Sequence, residues 1–253
     1  MKKKVFYLFA HQDDEFGVFI KLKEDIKKYD TYVFYLTKGT NKKVNKLKPT
    51  IRDKESLKSL VKIGLNKKNV FFLGRELQID HNKLYLNLNY IFEKLMHKIN
   101  KIGKPNAIIS HSWEGGHEDH DACNLIARKV ANKFRILDKS FQFSLYNSYK
   151  TSFFFYRVFN PIKKKGKKYK TNLKVRLFLI LLLFNYKSQI KTWIGLYPFI
   201  IYHYLFKGYN FIENLNSNLF IKSPHKNILL YEKRNSCTFE KFNHKSKTFL
   251  DDI

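Results

Sequence analysis

Apolar runs alternate with amphipathic stretches along the first 150 residues. Runs that are typical of buried strands occur at 4–9, 32–37, 69–74, 107–112 and 141–149. Between them, apolar residues recur at helical spacing in 16–29, 51–65, 87–102 and 120–134. Strands that alternate with helices predict an α/β fold, in which a doubly wound, mostly parallel sheet lies between two layers of helices.

The pattern changes after Tyr149. Residues 160–174 are rich in lysine and predict an exposed basic linker or loop, and 39–50 predict a second Lys/Asn-rich loop. Apolar runs at 175–184 and 193–206 are each shorter than the roughly 20 residues that span a bilayer. We expect them to be helices that pack on the main domain, and 228–233 to be a late strand. The alternative is a membrane-touching surface, with the lysines of 163–168 beside anionic lipid.

Composition indicates a folded protein of a reducing compartment. The chain is 44% hydrophobic and 28% charged, which argues against global disorder. Cys123 and Cys237 form no disulfide framework and no CxxC pair, so a cytoplasmic protein is expected. The basic N-terminus lacks the small-residue cleavage site of a signal peptide and is interpreted as the first strand.

The formal net charge of +28 favours anionic partners such as phosphorylated sugars, lipid head groups or nucleic acid. A general lysine bias on solvated faces is the alternative explanation. Tyr and Phe are plentiful enough for base stacking, but no zinc finger, RRM signature or recognition helix is present. Nucleic-acid binding therefore ranks below an enzyme with an anionic substrate.

Two polar clusters follow predicted strands one and four. "HQDDE" ends the run at 4–9, and "HSWEGGHEDHD" ends the run at 107–112. With the common strand order 3-2-1-4-5, both clusters lie at the point where strand order reverses, which is where such sheets bind ligands. Histidine and carboxylate groups are ligands of zinc and of ferrous iron, and catalytic sites need three of them. The spacing of His11 and Asp14, and of His117 and His120, suits one such ion.

These segments resemble the LmbE/PIG-L family of zinc-dependent N-acetylglucosaminyl de-N-acetylases. "AHQDDE" (10–15) resembles the family's AHPDDE signature, with Gln12 in place of proline. "HSWEGGHEDHDA" (111–122) is similar to its second motif, most closely in a bacterial branch with an EGGHxDH pattern. Residues 52–74 are similar to an Arg-x-x-Glu helix that precedes a Leu-Gly strand. The resemblance covers about residues 4–135.

The resemblance implies a role for each matching position. His11, Asp14 and His120 would bind Zn²⁺, with Fe²⁺ as the competitor. Asp13 would be the general base, and His117 would stabilise the oxyanion and protonate the leaving amine. The remaining candidates are Arg52 as a contact to sugar hydroxyls, Trp113 stacked on a sugar ring, and Glu15 and Asp119 within reach of the ligand imidazoles.

Several of these positions also have simpler interpretations. Arg52 could pair with Glu55 or Glu24 on a solvated face, and Trp113 could belong to the core. Three isolated histidines are expected to be ordinary structural residues: His81, His203 and His225.

The leading functional hypothesis is a hydrolase that removes acetyl from an N-acetylated amino sugar in surface-glycan biosynthesis. The basic surface and the aromatic C-terminal third favour a phosphate- or lipid-linked sugar. A family member without catalysis that binds glycan is the alternative. Residues 1–150 would form the Rossmann-like, metal-dependent deacetylase core. Residues 151–253 would form a basic extension of helices and strands that packs on it and faces substrate or the inner face of a membrane.

Overall fold

The computed structural model describes residues 2–40, 48–152, 155–190, 195–215 and 222–250. Most of the loop predicted over 39–50 lies outside these residues, as does the beginning of the apolar run predicted over 193–206. In the described part of the chain, no helix combines the length and the apolar character needed to cross a bilayer.

A seven-stranded, mostly parallel sheet forms the centre of the molecule. Its strand order is β3-β2-β1-β4-β5-β9-β8, so the predicted order of the first five strands is confirmed. These five run parallel, β9 is antiparallel to β5, and β8 is antiparallel to β9. The strands are β1 Lys4–Phe9, β2 Asp30–Tyr35, β3 Val70–Phe71, β4 Ala107–His111, β5 Phe141–Phe143, β8 Gly166–Lys170 and β9 Tyr209–Asn214, beside a small pair, β6 Tyr146–Asn147 and β7 Arg157–Val158.

Helices lie on both sides of the sheet. They are α1 Phe19–Lys28, α2 Lys48–Lys62, α3 Leu73–Glu76, α4 Leu88–Ile102, α5 Glu118–Lys133, α6 Leu173–Leu181, α7 Tyr197–Tyr202, α8 Leu230–Lys233 and α9 Phe239–Leu250. Helix α4 shows why the sequence predicts them. Leu88, Ile91, Leu95 and Ile99 recur on one buried face, and Gly103 ends the helix with a φ of 104°.

The alternation of side chains along β1 builds a core on each face of the sheet. Phe6 and Leu8 join the buried cluster that contains α4, α5 and α9. Val5, Tyr7 and Phe9 point the other way and join the cluster that contains α1 and α6. Since both faces of β1 are covered, its sequence is a continuous apolar run rather than an alternating one.

The C-terminal predictions need correction in two places. Residues 228–233 are not a strand, because Leu229 caps the short helix α8 and its N–H donates to Glu232 at 2.9 Å. The segment 160–174 is not only a loop, because it contains β8, which pairs with β9 at the edge of the sheet. β8 has four exposed residues out of five, as its lysine-rich sequence suggests.

Two strands of the first half are shorter than predicted. The run at 69–74 forms only β3, because Leu73 already begins α3. The run at 141–149 divides into β5 and β6, because the Glu114 carboxylate accepts the N–H groups of Leu145 and Tyr146.

Candidate active site

A cavity of about 660 Å³ opens at the carboxyl ends of β1 and β4. Its lining includes His11, Asp13, Asp14, Arg52 and His117. The two polar clusters, about a hundred residues apart in sequence, therefore share one crevice. β1 and β4 are direct neighbours in the sheet, with Val5 opposite Ala107.

Three side chains form a compact donor group, and two of them, His11 and Asp14, line this cavity. His120 Nε2 lies 3.1 Å from Asp14 Oδ1 and 3.3 Å from His11 Nδ1. His11 Nδ1 lies 3.7 Å from Asp14 Oδ2. Donors bound at 2.0–2.1 Å around a tetrahedral zinc are about 3.3 Å apart, so the spacing fits one such ion. All three residues are buried.

Two further residues fix the donor group. Asp119 Oδ2 lies 3.0 Å from His11 Nε2 and also accepts the N–H of Asn82 at 2.6 Å. His111 Nε2 lies 3.0 Å from Asp14 Oδ2, and its ring stacks on that of His120 at 4.0 Å. Asp119 is thus in contact with the His11 imidazole, and His111 is a further contact that the sequence analysis did not identify.

The charges in this group are strongly coupled. Burial alone would lower the pKa of His11, but the Asp14 and Asp119 carboxylates raise it to about 10. Burial alone would raise the pKa of Asp14, but the three imidazoles around it hold the pKa well below its usual range. Burial lowers the pKa of His120 to about 3. Near pH 7 Asp14 is therefore ionised, His120 is neutral and His11 is protonated, so an ion bound at this group would have to displace the His11 proton.

Asp13 lies beside the donor group on a strained turn. Its φ of 152° is rare for a residue with a side chain, and strain of this kind is found at functional sites. The Glu15 carboxylate holds this turn, because it accepts the Asp13 N–H at 3.0 Å. Burial raises the pKa of Asp13 to about 6, against the lowering effect of Arg52, whose Nη2 donates to its carboxylate at 3.0 Å.

His117 caps the first turn of α5, and its ring lines the cavity. Its Nδ1 accepts the N–H of Asp119 at 3.0 Å, which leaves the ring proton on Nε2. Burial and the neighbouring imidazoles keep the pKa of His117 well below its usual range, so the ring is neutral. His81 lines the same cavity, 4.9 Å from His117 between ring centres and 4.5 Å from His11. The expectation that His81 is isolated is therefore wrong.

Arg52 and Glu15 both contact the turn that carries Asp13. Arg52 is buried and held by the carbonyls of Gly39 and Gln12, so it does not pair with Glu55 or Glu24 on a solvated face. Glu15 accepts a hydrogen bond from the Tyr186 hydroxyl as well as from the Asp13 N–H. It supports the turn of the proposed base rather than an imidazole, and burial raises its pKa to about 7.

Trp113 lies outside the cavity, which does not favour a stacking contact with substrate there. Its ring packs against Phe239 and Phe242 of α9, and its Nε1 donates to the Lys222 carbonyl at 3.0 Å. It lines a second cavity of about 490 Å³ instead. The core interpretation of Trp113 agrees better with this position.

The "EGG" of the second motif shapes the loop between β4 and α5. The buried Glu114 carboxylate accepts from Ser144, Leu145, Tyr146 and Asn147, at 2.6–3.1 Å. Gly115 has a φ of 67°, and a Cβ on Gly116 would lie 1.8 Å from a backbone oxygen. The loop therefore needs both glycines and the acid in order to deliver His117 to the cavity and His120 to the donor group.

Comparison with known proteins agrees with this geometry. Residues 6–131 match the family model described as PIG-L, GlcNAc-PI de-N-acetylase. No curated protein matches the chain significantly.

Solved structures share the fold at low sequence identity. A deacetylase of teicoplanin biosynthesis is 13% identical, with a TM-score of 0.60 over 83% of this chain and 96% of its own. The N,N'-diacetylchitobiose deacetylase of Pyrococcus horikoshii is 16% identical, with a TM-score of 0.59 over 85% and 83%. A conserved protein of Thermus thermophilus is 17% identical, with a TM-score of 0.55 over 90% and 100%.

The family match covers both polar clusters and the helix that carries Arg52. The deacetylase neighbours share the overall fold of this chain. Residues 6–131 of this chain therefore form a domain of the PIG-L family of de-N-acetylases.

Proposed function

We propose that this chain is a metal-dependent hydrolase that removes the acetyl group from an N-acetylated amino sugar. The observation that carries the proposal is the grouping of three metal-type donors, one strained carboxylate and one neutral imidazole around a single cavity. The family match and the deacetylase neighbours support the same reaction.

His11, Asp14 and His120 would hold the metal, with zinc first and ferrous iron as the competitor. The test of fit is the spacing of their donor atoms, since His120 Nε2 lies 3.1 Å from Asp14 Oδ1 and 3.3 Å from His11 Nδ1 and all three residues are buried. When bound, a divalent ion would supply Lewis acidity, which favours ionisation of water and polarises an amide carbonyl.

Asp13 would carry the proton transfers and His117 would stabilise the oxyanion. Protonation of the leaving amine, which the resemblance gives to His117, is proposed for Asp13 because the His117 ring is neutral. Asp13 would take a proton from the attacking water, which a carboxylate with a pKa of about 6 can do at neutral pH. The His117 Nε2–H would donate to the oxygen that becomes negative in the tetrahedral intermediate. The proton held by Asp13 would then pass to the leaving amine, so that acetate and a free amino sugar result.

Cations at the cavity favour a substrate with a phosphate group. Lys187 lines the cavity and is exposed, and Arg52 lines its inner part. The Pyrococcus neighbour is a deacetylase of N,N'-diacetylchitobiose, a neutral sugar, so the amide chemistry does not itself require phosphate. A phosphate-linked N-acetylglucosamine type of substrate is proposed from the basic residues of this chain.

Acetate release tests the proposal directly. Purified, zinc-loaded protein is assayed with N-acetylglucosamine as the free sugar, as a sugar phosphate and as a lipid-linked phosphate. Asp13→Asn should lower turnover at least 100-fold while zinc content is unchanged, because proton transfer typically contributes about 10²–10⁴-fold. Asp138→Asn, the same change at an exposed position, is the matched control.

Full activity of Asp13→Asn would contradict the assignment of the base. No acetate release from any acetylated sugar would favour the glycan-binding alternative. Activity on the free sugar alone would reject the phosphate-linked substrate while leaving the reaction itself in place.

A further inference from the structure

The surface of α6 is apolar on the side that faces solvent. Leu173, Leu177, Leu181 and Phe184 recur every three or four residues along this helix and the turn that follows it. Leu181 is 63% exposed and Phe184 is 71% exposed. Folding alone does not explain several large apolar side chains on a single exposed helical stripe, because about half or more of the area of each remains in water.

A second stripe lies on α7 and on the turn His203–Lys207 that follows it. Phe199, Tyr202 and Phe206 again share one side of the helix, and Phe206 is 72% exposed. The two helical segments are linked directly, since Arg176 Nη1 donates to the Leu205 carbonyl at 2.9 Å. We call these seven side chains together the apolar face: Leu173, Leu177, Leu181, Phe184, Phe199, Tyr202 and Phe206.

Positive charge accompanies the apolar face. No Asp or Glu occurs between Asp138 and Glu213, a stretch that holds 14 Lys and Arg residues. Lys170, Lys174 and Lys207 are exposed and lie close to residues of the apolar face in sequence. Apolar side chains with a basic border are typical of a helix that lies in a membrane interface.

The same segments form one wall of the candidate active site. Leu196 and Ile200 line the cavity from α7, whereas Phe199 and Tyr202 of that helix face outward. Ile190 lines the cavity and is 52% exposed, so it lies at the rim. Helix α7 therefore contributes both to the apolar face and to the wall of the cavity.

We propose that the apolar face docks on an anionic bilayer and brings the cavity mouth to the lipid surface. The inference rests on the proposed function in one respect, because it makes the substrate an amino sugar carried on a phosphate-bearing lipid. A second copy of the chain is a weaker occupant, since two surfaces of the same positive charge repel each other. Nucleic acid is a poor fit for the apolar face, because leucine side chains neither stack on bases nor bind phosphate.

Vesicle flotation tests the docking. Vesicles of phosphatidylglycerol and phosphatidylcholine in equal parts should bind the protein, and vesicles of phosphatidylcholine alone should bind it less. Phe184→Ser combined with Phe206→Ser should lower the partition coefficient at least tenfold, equivalent to about 1.4 kcal/mol. Leu86→Ser combined with Tyr90→Ser is the matched control, since these exposed side chains lie just before and within the first turn of α4, away from the apolar face.

Absence of binding to the anionic vesicles would overturn the proposal. Binding that the Phe184/Phe206 variant retains in full, and that salt abolishes, would reduce it to electrostatic adsorption and would also overturn it. If the wild type forms a dimer in solution and binds no vesicles, and if this variant is a monomer, the occupant of the apolar face would be a second copy of the chain.

Acetate release from a soluble sugar separates this proposal from the proposed function. Neither phenylalanine lines the cavity, so the double variant should keep that activity without vesicles. Retained activity also shows that the variant is folded. Vesicle binding in a protein that releases no acetate from any substrate would contradict the proposed function alone.

Discussion

Replacing His120 by alanine tests the donor group most directly. The substitution removes the nitrogen that lies 3.1 Å from Asp14 Oδ1 and 3.3 Å from His11 Nδ1, and leaves two of the three donors. Residues that merely support a metal ligand already contribute about 10–100-fold to affinity. We therefore expect the loss of a donor to weaken zinc binding at least about 100-fold.

The loss should be visible as a change in stability. With free zinc about 100 times above the dissociation constant, binding adds about 2.7 kcal/mol to the free energy of unfolding of the wild type. In a chain of this size, each kcal/mol raises the unfolding midpoint by about 2–4 °C, so zinc should raise it by about 5–11 °C. A site 100-fold weaker gains only about 0.4 kcal/mol at the same zinc concentration, or about 1–2 °C.

The assay compares calorimetric unfolding of chelator-treated protein before and after zinc is added, together with the zinc content per chain. His97→Ala removes an exposed histidine from α4 and should keep both the zinc and the full shift. Stoichiometric zinc and an undiminished shift in His120→Ala would refute the assignment of the donor group. A wild type that binds no zinc or iron would refute the metal site as a whole.

Three further predictions follow from contacts around the cavity. As the proposed base, Asp13 would have to be ionised, so activity should fall as pH falls through its pKa of about 6. Arg52→Met removes the positive charge that lowers the pKa of Asp13, so the pH at which kcat/KM falls on the acid side should rise by about 1–3 units. Arg52→Lys keeps the charge and should raise this pH far less. An unchanged pH in Arg52→Met would contradict the pairing of Arg52 with Asp13. Glu114→Ala should lower the free energy of unfolding in urea by about 2–6 kcal/mol, since two buried backbone donors lose their acceptor at about 1–3 kcal/mol each. The exposed Glu76→Ala should stay within about 0.5 kcal/mol, and equal losses would reject the role of Glu114. Gly74→Ala should lower the thermal midpoint, because its Cβ would lie 2.2 Å from neighbouring backbone atoms, and an unchanged midpoint would show that the turn can move.

The sequence predicts most residues of the candidate site because they follow strand ends closely in the chain. His11, Asp13 and Asp14 follow one apolar run, and His117 and His120 share one helical turn. Strand order then brings the two segments together, and that order is common enough to assume. His111 could also have been found from the sequence, since it is the last residue of β4 and points to the same edge of the sheet as His11.

Other contacts depend on parts of the chain that are distant in sequence. His81 reaches the cavity on a loop beyond β3, where its N–H donates to the Thr40 carbonyl, and no local pattern indicates this. Trp113 belongs to the second motif, but its position is set by Phe239 and Phe242. A sequence motif therefore identifies which segment reaches the site, whereas packing decides which of its side chains face the ligand.

The short apolar run at 228–233 shows a different limit. Periodicity over six residues cannot separate a strand from a helical turn, and the acceptor that decides the matter is Glu232 within the run itself. The prediction of a loop for the basic stretch that contains β8 is incomplete for a related reason. An edge strand needs only one partner, and β9, which supplies it, lies about forty residues later.

The distribution of charge connects the site with the apolar face. Within the described residues, nine of the 21 Asp and Glu side chains of the chain are buried, and six of these nine lie in the two polar clusters. Because buried carboxylates add little negative charge to the surface, the exterior is more basic than the formal charge of +28 suggests. In the proposed function a metal ion would be drawn to the acids inside, whereas anionic groups would be drawn to Lys187 at the cavity and to the exposed lysines near the apolar face. A substrate with an uncharged acetamido sugar at one end and a phosphate at its lipid end would match both regions, since only the uncharged end has to leave water.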